Sequence, residues 1–327
     1  MPLKYYDNVL QLIGNTPLVR LGRVARNYNP LVLAKLEFLN TGGSIKDRVG
    51  IAMILDAQKR GLIKPGGTIV EPSSGNTGVG LVIAGILLGY SVIITIPDKM
   101  SKEKVRLLQA YGARVVVCPS DRPPGHPENY VSVARKISSE TPNAFMPNQY
   151  TNPSNPRIHY ETTGREIWEQ TDGRITHFVA GMGTGGTITG VARFLKEKSD
   201  RVRVIGVDPE GSILGALFRG KTEVKARQYK IEGIGEDFLP ETTDLKIIDD
   251  IVMVTDREAY LMSRRLAREE ALLVGSSSGA AVAGALKVAK DLSKDDVLVT
   301  ILPDRGDRYL SKLYDDDWMK AQGFSKE

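Results

Sequence analysis

Cysteine and histidine are scarce: Cys118 stands alone, and His126, His159 and His177 are scattered through 327 residues. A single cysteine excludes an intramolecular disulfide and a cysteine-based zinc cluster. The histidines show no metal-ligand spacing, so no metal is expected. No block of five or more like charges occurs, and the net charge of +5 is dispersed. The concentrated basic stripe or reader motif of a nucleic-acid module is missing, so no nucleic-acid partner is expected. A mild excess of this kind suits small anions. The longest apolar stretch, near Gly80–Tyr90, is too short and too rich in glycine to span a bilayer. The opening MPLKYYDNVLQLIGNTP has no charged region followed by an apolar one, so no signal peptide is expected. These absences point to a cytoplasmic protein without a membrane partner that handles small molecules.

From about Gly66 onward, short β-rich runs alternate with helical stretches. Strands are expected at Thr68–Glu71, Ser91–Ile96, Ala113–Cys118, His177–Ala180, Arg203–Val207 and Val297–Leu302. Helices are expected at Thr77–Leu88, Lys102–Tyr111, Tyr130–Ser139, Thr187–Lys198, Arg257–Glu269 and Gly279–Leu292. Strands separated by helices of this length imply parallel sheets with right-handed crossovers. The fold class is therefore α/β, and two such sheets fit the length. Candidate boundaries are the proline-rich Asp121–Asn129 and the turn-rich Asn148–Asn155. A third is the weakly periodic Gly211–Pro240, a candidate functional loop.

Four segments carry chemistry. In Asn40–Arg48, NTGGSIKDR, Ser44 and Asp47 have capping-box spacing ahead of a helix running to Gly61, which places Lys46 in its first turn. A lysine there is either a solvated helix-end residue or a Schiff-base lysine, whose amine acts as nucleophile and base. In Glu71–Gly78, EPSSGNTG, a polar loop joins a strand to a helix, where N–H groups and hydroxyls suit a carboxylate. Read blandly, it is a common Ser/Asn/Gly turn. In Gly181–Thr187, GMGTGGT, closely spaced glycines let amides wrap a phosphate. Gly181, Gly183 and Gly186 also spell G-x-G-x-x-G, with Asp208 about 20 residues on, so a dinucleotide reading is a rival. In Leu273–Ala280, LVGSSSGA, a strand-like run leads to a helix through a serine-rich cap; no histidine follows to serve a nucleophilic serine.

Taken in this order, the four segments resemble the β-replacement family of fold-type II pyridoxal-phosphate (PLP) enzymes. That family holds the cysteine synthases and the catalytic core of cystathionine β-synthase. The resemblance runs from IGNTPLV at Ile13–Val19 to LPDRGDRYLSK at Leu302–Lys312. It leans toward the cystathionine β-synthase core through EFLNTGGSIKDR, GVDPEGSIL, IEGIGEDFLP and DDDWMKAQGF. LPDRGDRYL resembles the siderophore-precursor synthases of the same family. Glu236 stands where many cystathionine synthases have tyrosine.

The resemblance implies a tryptophan synthase β-like fold of two open parallel-sheet α/β domains. Residues 1–40 with 148–327 would form the larger, carrying the phosphate loop, and 41–147 a smaller, mobile one. It implies that Lys46 holds PLP covalently and then moves the substrate's α-proton. Asn76 would bond the ring hydroxyl, Gly183, Thr184, Gly185, Gly186 and Thr187 would cradle the phosphate, and Ser277 would face the ring nitrogen. Ser73, Ser74, Gly75, Thr77 and Gln149 would hold the substrate carboxylate, with Tyr150 and Gly235 near the entering thiol. The implied reaction is β-replacement on serine or an activated serine, giving cystathionine from homocysteine, by a homodimer. Regulation by haem or adenosylmethionine is not implied. Cysteine synthesis from sulfide is the alternative; a nicotinamide oxidoreductase and an inactive PLP-binding partner are remoter ones.

Overall fold

The computed structural model describes residues 3–73, 75–98, 100, 102–123 and 125–324. The chain forms two compact units, Met1–Gly14 with Asn40–Asn155, and Asn15–Leu39 with Pro156–Glu327. The second, larger unit begins with β1 (Leu18–Arg20) and β2 (Leu31–Leu36). The smaller unit follows with α1 (Lys46–Lys59), β3 (Thr68–Pro72), α2 (Asn76–Leu87), β4 (Ser91–Pro97), α3 (Lys102–Ala110), β5 (Arg114–Cys118), α4 (Tyr130–Glu140) and β6 (Ala144–Phe145). The return path is α5 (Ser154–Ile158), a π-helical stretch at His159–Gly164, α6 (Arg165–Gln170), β7 (His177–Gly181), α7 (Gly186–Lys198) and β8 (Arg203–Pro209). Then come α8 (Leu214–Phe218), β9 (Asp250–Val254), α9 (Asp256–Glu270), α10 (Ser276–Ala289), β10 (Val297–Leu302) and α11 (Asp316–Ala321).

The smaller unit's sheet has the order β5-β4-β3-β6, and every pairing is parallel. Strands of such sheets are covered on both faces, which is why Val92–Pro97 is buried at every position. Helix α2 is buried from Thr77 to Gly85, in keeping with a sequence that is apolar all round. Strand β3 ends at Pro72 and passes through a short polar loop into α2, so that loop sits at the carboxyl end of a parallel strand.

The larger unit's sheet has the order β1-β2-β10-β7-β8-β9. All its pairings are parallel except β1 with β2, so the sheet is mixed. The connection Leu21–Pro30 is shorter than the dozen or more residues a parallel crossover needs, which forces the antiparallel return. Val179, Val207, Val282, Ala285, Leu298 and Leu302 belong to one buried core on this sheet. Helix α10 is built from small residues and is almost wholly buried; a Cβ on Gly284 would lie 2.5 Å from the Val207 side chain of β8. It begins at Ser276 rather than at Gly279, and its cap is Gly275, without a side-chain cap bond. Ser277 and Ser278 are therefore first-turn helix residues and not a serine cap.

Candidate active site

In the smaller unit, Lys46 is the first residue of α1 and is half-buried. The expected capping box takes a different form, with Ile45 at the cap position and no side-chain cap bond there. The Ser44 hydroxyl instead accepts from the Lys46 N–H at 3.2 Å, and the Asp47 carboxylate reaches back to the Gly42 N–H at 2.6 Å. What fixes Lys46 is the backbone contact of α1 with α2. A Cβ on Gly80 would lie 2.5 Å from the Lys46 carbonyl oxygen. A Cβ on Gly50 would overlap the Gly80 carbonyl carbon. Asn76, the first residue of α2, lies one turn before Gly80 on the same helix face, so the glycine contact brings the starts of both helices together.

The loop ahead of α2 is a set of donors. Ser73 is buried and its hydroxyl oxygen accepts from the N–H of Gly78 at 3.0 Å, which leaves its O–H to donate. The Thr77 hydroxyl donates to the Gln149 amide oxygen at 2.6 Å, so the Gln149 NH2 is the end left to donate. Gln149 follows Asn148, whose φ of 51° is left-handed, and both backbone N–H groups donate to Glu71, at 2.9 Å from Asn148 and 3.2 Å from Gln149. Glu71 is fully buried on β3, and desolvation raises its carboxyl to about 7 against the lowering pull of those two N–H bonds. Gly75 caps α2, and Tyr150 is half-buried one residue past Gln149. Ser74 lies outside the described residues.

In the larger unit, β7 runs into the glycine cup and the cup into α7. Gly185 caps α7 with a left-handed φ of 77°, and a Cβ there would overlap the Thr243 hydroxyl. A Cβ on Gly183 would lie 2.7 Å from the Gly233 carbonyl oxygen. The cup is tied from outside. The Thr242 and Thr243 hydroxyls both donate to the Thr184 carbonyl, and the Gly235 N–H donates to the Met182 carbonyl at 2.6 Å. The first turn of α7 leaves its N–H groups without intrahelical acceptors, and its dipole favours an anion there. The cup therefore fits a phosphate through backbone amides and the hydroxyls of Thr184 and Thr187. Thr187 also meets the ring of the buried His159, with Oγ1 3.3 Å from Nε2, across from the π-helical stretch.

Ser277 is buried in the first turn of α10, beside the segment Ile231–Glu236. The Ser276 hydroxyl accepts from the Glu232 N–H at 3.0 Å, and a Cβ on Gly233 would sit 3.7 Å from the Ser277 hydroxyl. Gly233 and Gly235 have φ of 92° and 80°, which makes glycine the fitting residue at both. This unit thus gathers the cup, Gly233–Gly235 and Ser277. The smaller unit gathers Lys46, Asn76, Ser73, Thr77 and Gln149.

Three contributors were not singled out from sequence. Thr242 and Thr243 brace the cup from 58 and 59 positions away, and no local pattern marks them. Glu71 stands in a quoted motif, yet its partners lie 77 and 78 positions on. The dinucleotide rival loses its acidic residue: Asp208 is fully buried and its carboxylate accepts from the Gly215 N–H at 2.8 Å. Among the described residues, no group of three or more His, Cys, Asp or Glu could hold a metal, and no helix is long and apolar enough to cross a membrane.

The larger unit thus holds an amide cup suited to a phosphate, and the smaller unit a lysine at a helix start. The chain belongs to the family of pyridoxal-phosphate dependent enzymes, whose model matches residues 9–304. Within that class it is similar to cystathionine beta-synthases. That of Apis mellifera is 46% identical over 98% of this chain and 64% of the relative. That of Dictyostelium discoideum is 47% identical over 97% and 64%, and that of Oryctolagus cuniculus 47% over 99% and 59%. The chain thus spans less than two thirds of the length of these curated relatives.

Proposed function

We propose that the chain replaces the β-substituent of serine, or of an O-activated serine, by a thiol, forming cystathionine when the thiol is homocysteine. The observation that carries this reading is the pair of carboxylate-ready donors, the Ser73 O–H and the Gln149 NH2 oriented by Thr77, in the unit that also holds Lys46. Similarity to the cystathionine beta-synthases along nearly the whole chain supports it.

When bound, PLP supplies an electron sink that acidifies the Cα–H of an amino acid joined to it. Lys46 would hold the cofactor covalently, and its amine would take the substrate's Cα proton and return it. Asn76 would bond the ring hydroxyl, and Gly183–Thr187 would hold the phosphate. Ser277 would serve the ring nitrogen as a neutral partner, which would favour loss of the β-group over transamination. Ser73, Thr77 and Gln149, with Ser74 and Gly75, receive the substrate carboxylate at the start of α2. The C–O bond breaks with its electron pair leaving on oxygen; the thiol sulfur supplies the pair for the new C–S bond, and its proton leaves with the departing group. Tyr150 and Gly235 lie on the thiol side. We assign the working form as a cytoplasmic homodimer on the family resemblance, to be checked by light scattering and fractionation.

Two measurements test the reading. Lys46→Ala abolishes turnover and the borohydride-sensitive visible absorption while the far-UV spectrum survives; near-normal activity would refute the assignment of Lys46. The ratio of kcat/KM for homocysteine over sulfide, with the amino acid fixed, exceeds one. A ratio far below one places the chain with the cysteine synthases.

A further inference from the structure

Glu71 is a buried carboxylate whose interactions are two consecutive backbone N–H groups, those of Asn148 and Gln149. Its carboxyl is displaced upward by burial and drawn down by those same two bonds, with no cation among the causes. A carboxylate kept in such surroundings is unfavourable unless something requires it. The requirement is visible in the turn. The two adjacent N–H donors each take a different oxygen of Glu71, an arrangement that an amide, with one acceptor oxygen and an NH2, does not reproduce. Asn148 holds a left-handed φ of 51°, a conformation that costs free energy unless its surroundings fix it. Beyond the turn, the Gln149 carbonyl accepts from the Asn155 amide at 2.9 Å, and the Gln149 amide oxygen accepts from Thr77 at 2.6 Å. The backbone of Gln149 is thus anchored on β3 and its side chain on α2.

We propose that Glu71 is a positioning residue for the substrate carboxylate: it locks the Asn148–Gln149 turn so that the Gln149 NH2 is presented before the amino acid arrives. The proposal rests on the reading of Gln149 as a carboxylate ligand. Glu71 touches neither substrate nor cofactor. Its effect is on the ordering that binding would otherwise have to impose, so it acts on amino-acid affinity and leaves the chemical step alone.

The experiment is steady-state kinetics on the PLP-loaded enzyme with Glu71→Gln, Glu71→Asp, Gln149→Ala and the double variant Glu71→Gln/Gln149→Ala. Glu71→Gln is expected to raise KM for the amino acid about tenfold, the loss of one hydrogen bond. The kcat, the KM for the thiol and the cofactor absorption stay near the parent's. Glu71→Asp keeps both acceptors and gives a smaller rise; it carries the test if Glu71→Gln fails to fold. On the Gln149→Ala background, Glu71→Gln adds little, because the two act through one contact. A parent-like KM in Glu71→Gln alongside a raised KM in Gln149→Ala overturns the proposal alone. So do full additivity and a joint fall in kcat and cofactor content, which mark general loosening. A parent-like KM in Gln149→Ala overturns the carboxylate assignment of Gln149, and the proposal with it.

Discussion

Replacing Gly80 by alanine puts a methyl group where α2 touches the backbone that carries Lys46. The new Cβ would lie 2.5 Å from the Lys46 carbonyl oxygen, 3.0 Å from its carbonyl carbon and 3.1 Å from the Asp47 Cα. All three are backbone atoms, so no change of rotamer relieves the contact. An ordinary C···O approach needs roughly 3.3 Å, so the start of α1 must shift by about 0.8 Å. Overpacking of this kind costs about 1–3 kcal/mol, and a misplacement of about 1 Å can cost on the order of 100-fold in rate. The assay pairs urea unfolding with kcat/KM for the amino acid and the borohydride-sensitive cofactor absorption. The expected result is a stability loss within that range and a fall in kcat/KM of about 30- to 100-fold. Gly22→Ala is the control, since a Cβ there meets nothing within 4 Å. If Gly80→Ala loses stability but keeps kcat/KM within about twofold of the parent, the backbone contact does not set the position of Lys46.

Gly185→Ala faces both a left-handed φ of 77° and the Thr243 hydroxyl, so cofactor affinity should fall at least about tenfold; a parent-like Kd by titration would contradict the cup assignment. Burial raises the Asp208 carboxyl from 3.8 to about 6, so the folded state binds the extra proton between those values. The parent should therefore be most stable relative to Asp208→Asn below pH about 4 and lose that advantage as pH rises through about 6, by about 3 kcal/mol at most. Denaturant midpoints that move in parallel across this range would contradict it. Lys35 is buried, with its ammonium 2.6 Å from Glu166 and also donating to the Thr16 carbonyl and Gln170. Lys35→Met removes this buried cation from beside Glu166 and should cost about 3–5 kcal/mol, and adding Glu166→Gln should restore part of it; equal losses in the single and double variants would sink that account.

Strands β3, β4, β7, β8 and β10 were legible because buried parallel strands read as short apolar runs between helical segments, and the edge strand β5 because its RVVVC run is β-branched. Strand β1 was not, because three residues with mostly exposed side chains leave no run to see. The capping spacing of Ser44 and Asp47 marked a helix start correctly, but tertiary packing set its details: Asp47 serves the Gly42 N–H in the bend ahead of α1. The cup was legible as glycines between strand and helix. Its bracing by Thr242 and Thr243 was not, since a hydroxyl meeting a carbonyl 58 residues away has no period and no motif. Glu71 shows the same limit: a carboxylate on a buried strand marks itself as unusual, while the turn it serves is fixed only once β3 and the segment after β6 are adjacent.

The order of strands in the larger sheet has a consequence for synthesis. Strand β2 lies between β1 and β10, and β10 joins it to β7 and everything beyond. On the ribosome β1 is available to β2 at once, but β10 emerges only after about 260 further residues, a delay of about 13–50 s at ordinary elongation rates. Throughout that interval one edge of β2 offers unpaired N–H and C=O groups, the situation that invites pairing with a wrong chain. The smaller unit needs nothing past Asn155 and, apart from its opening segment, is continuous, so it can close while β2 waits. The nascent chain thus carries a finished body behind an unfinished edge, and the last strand of this sheet to be made is the one that seals β2.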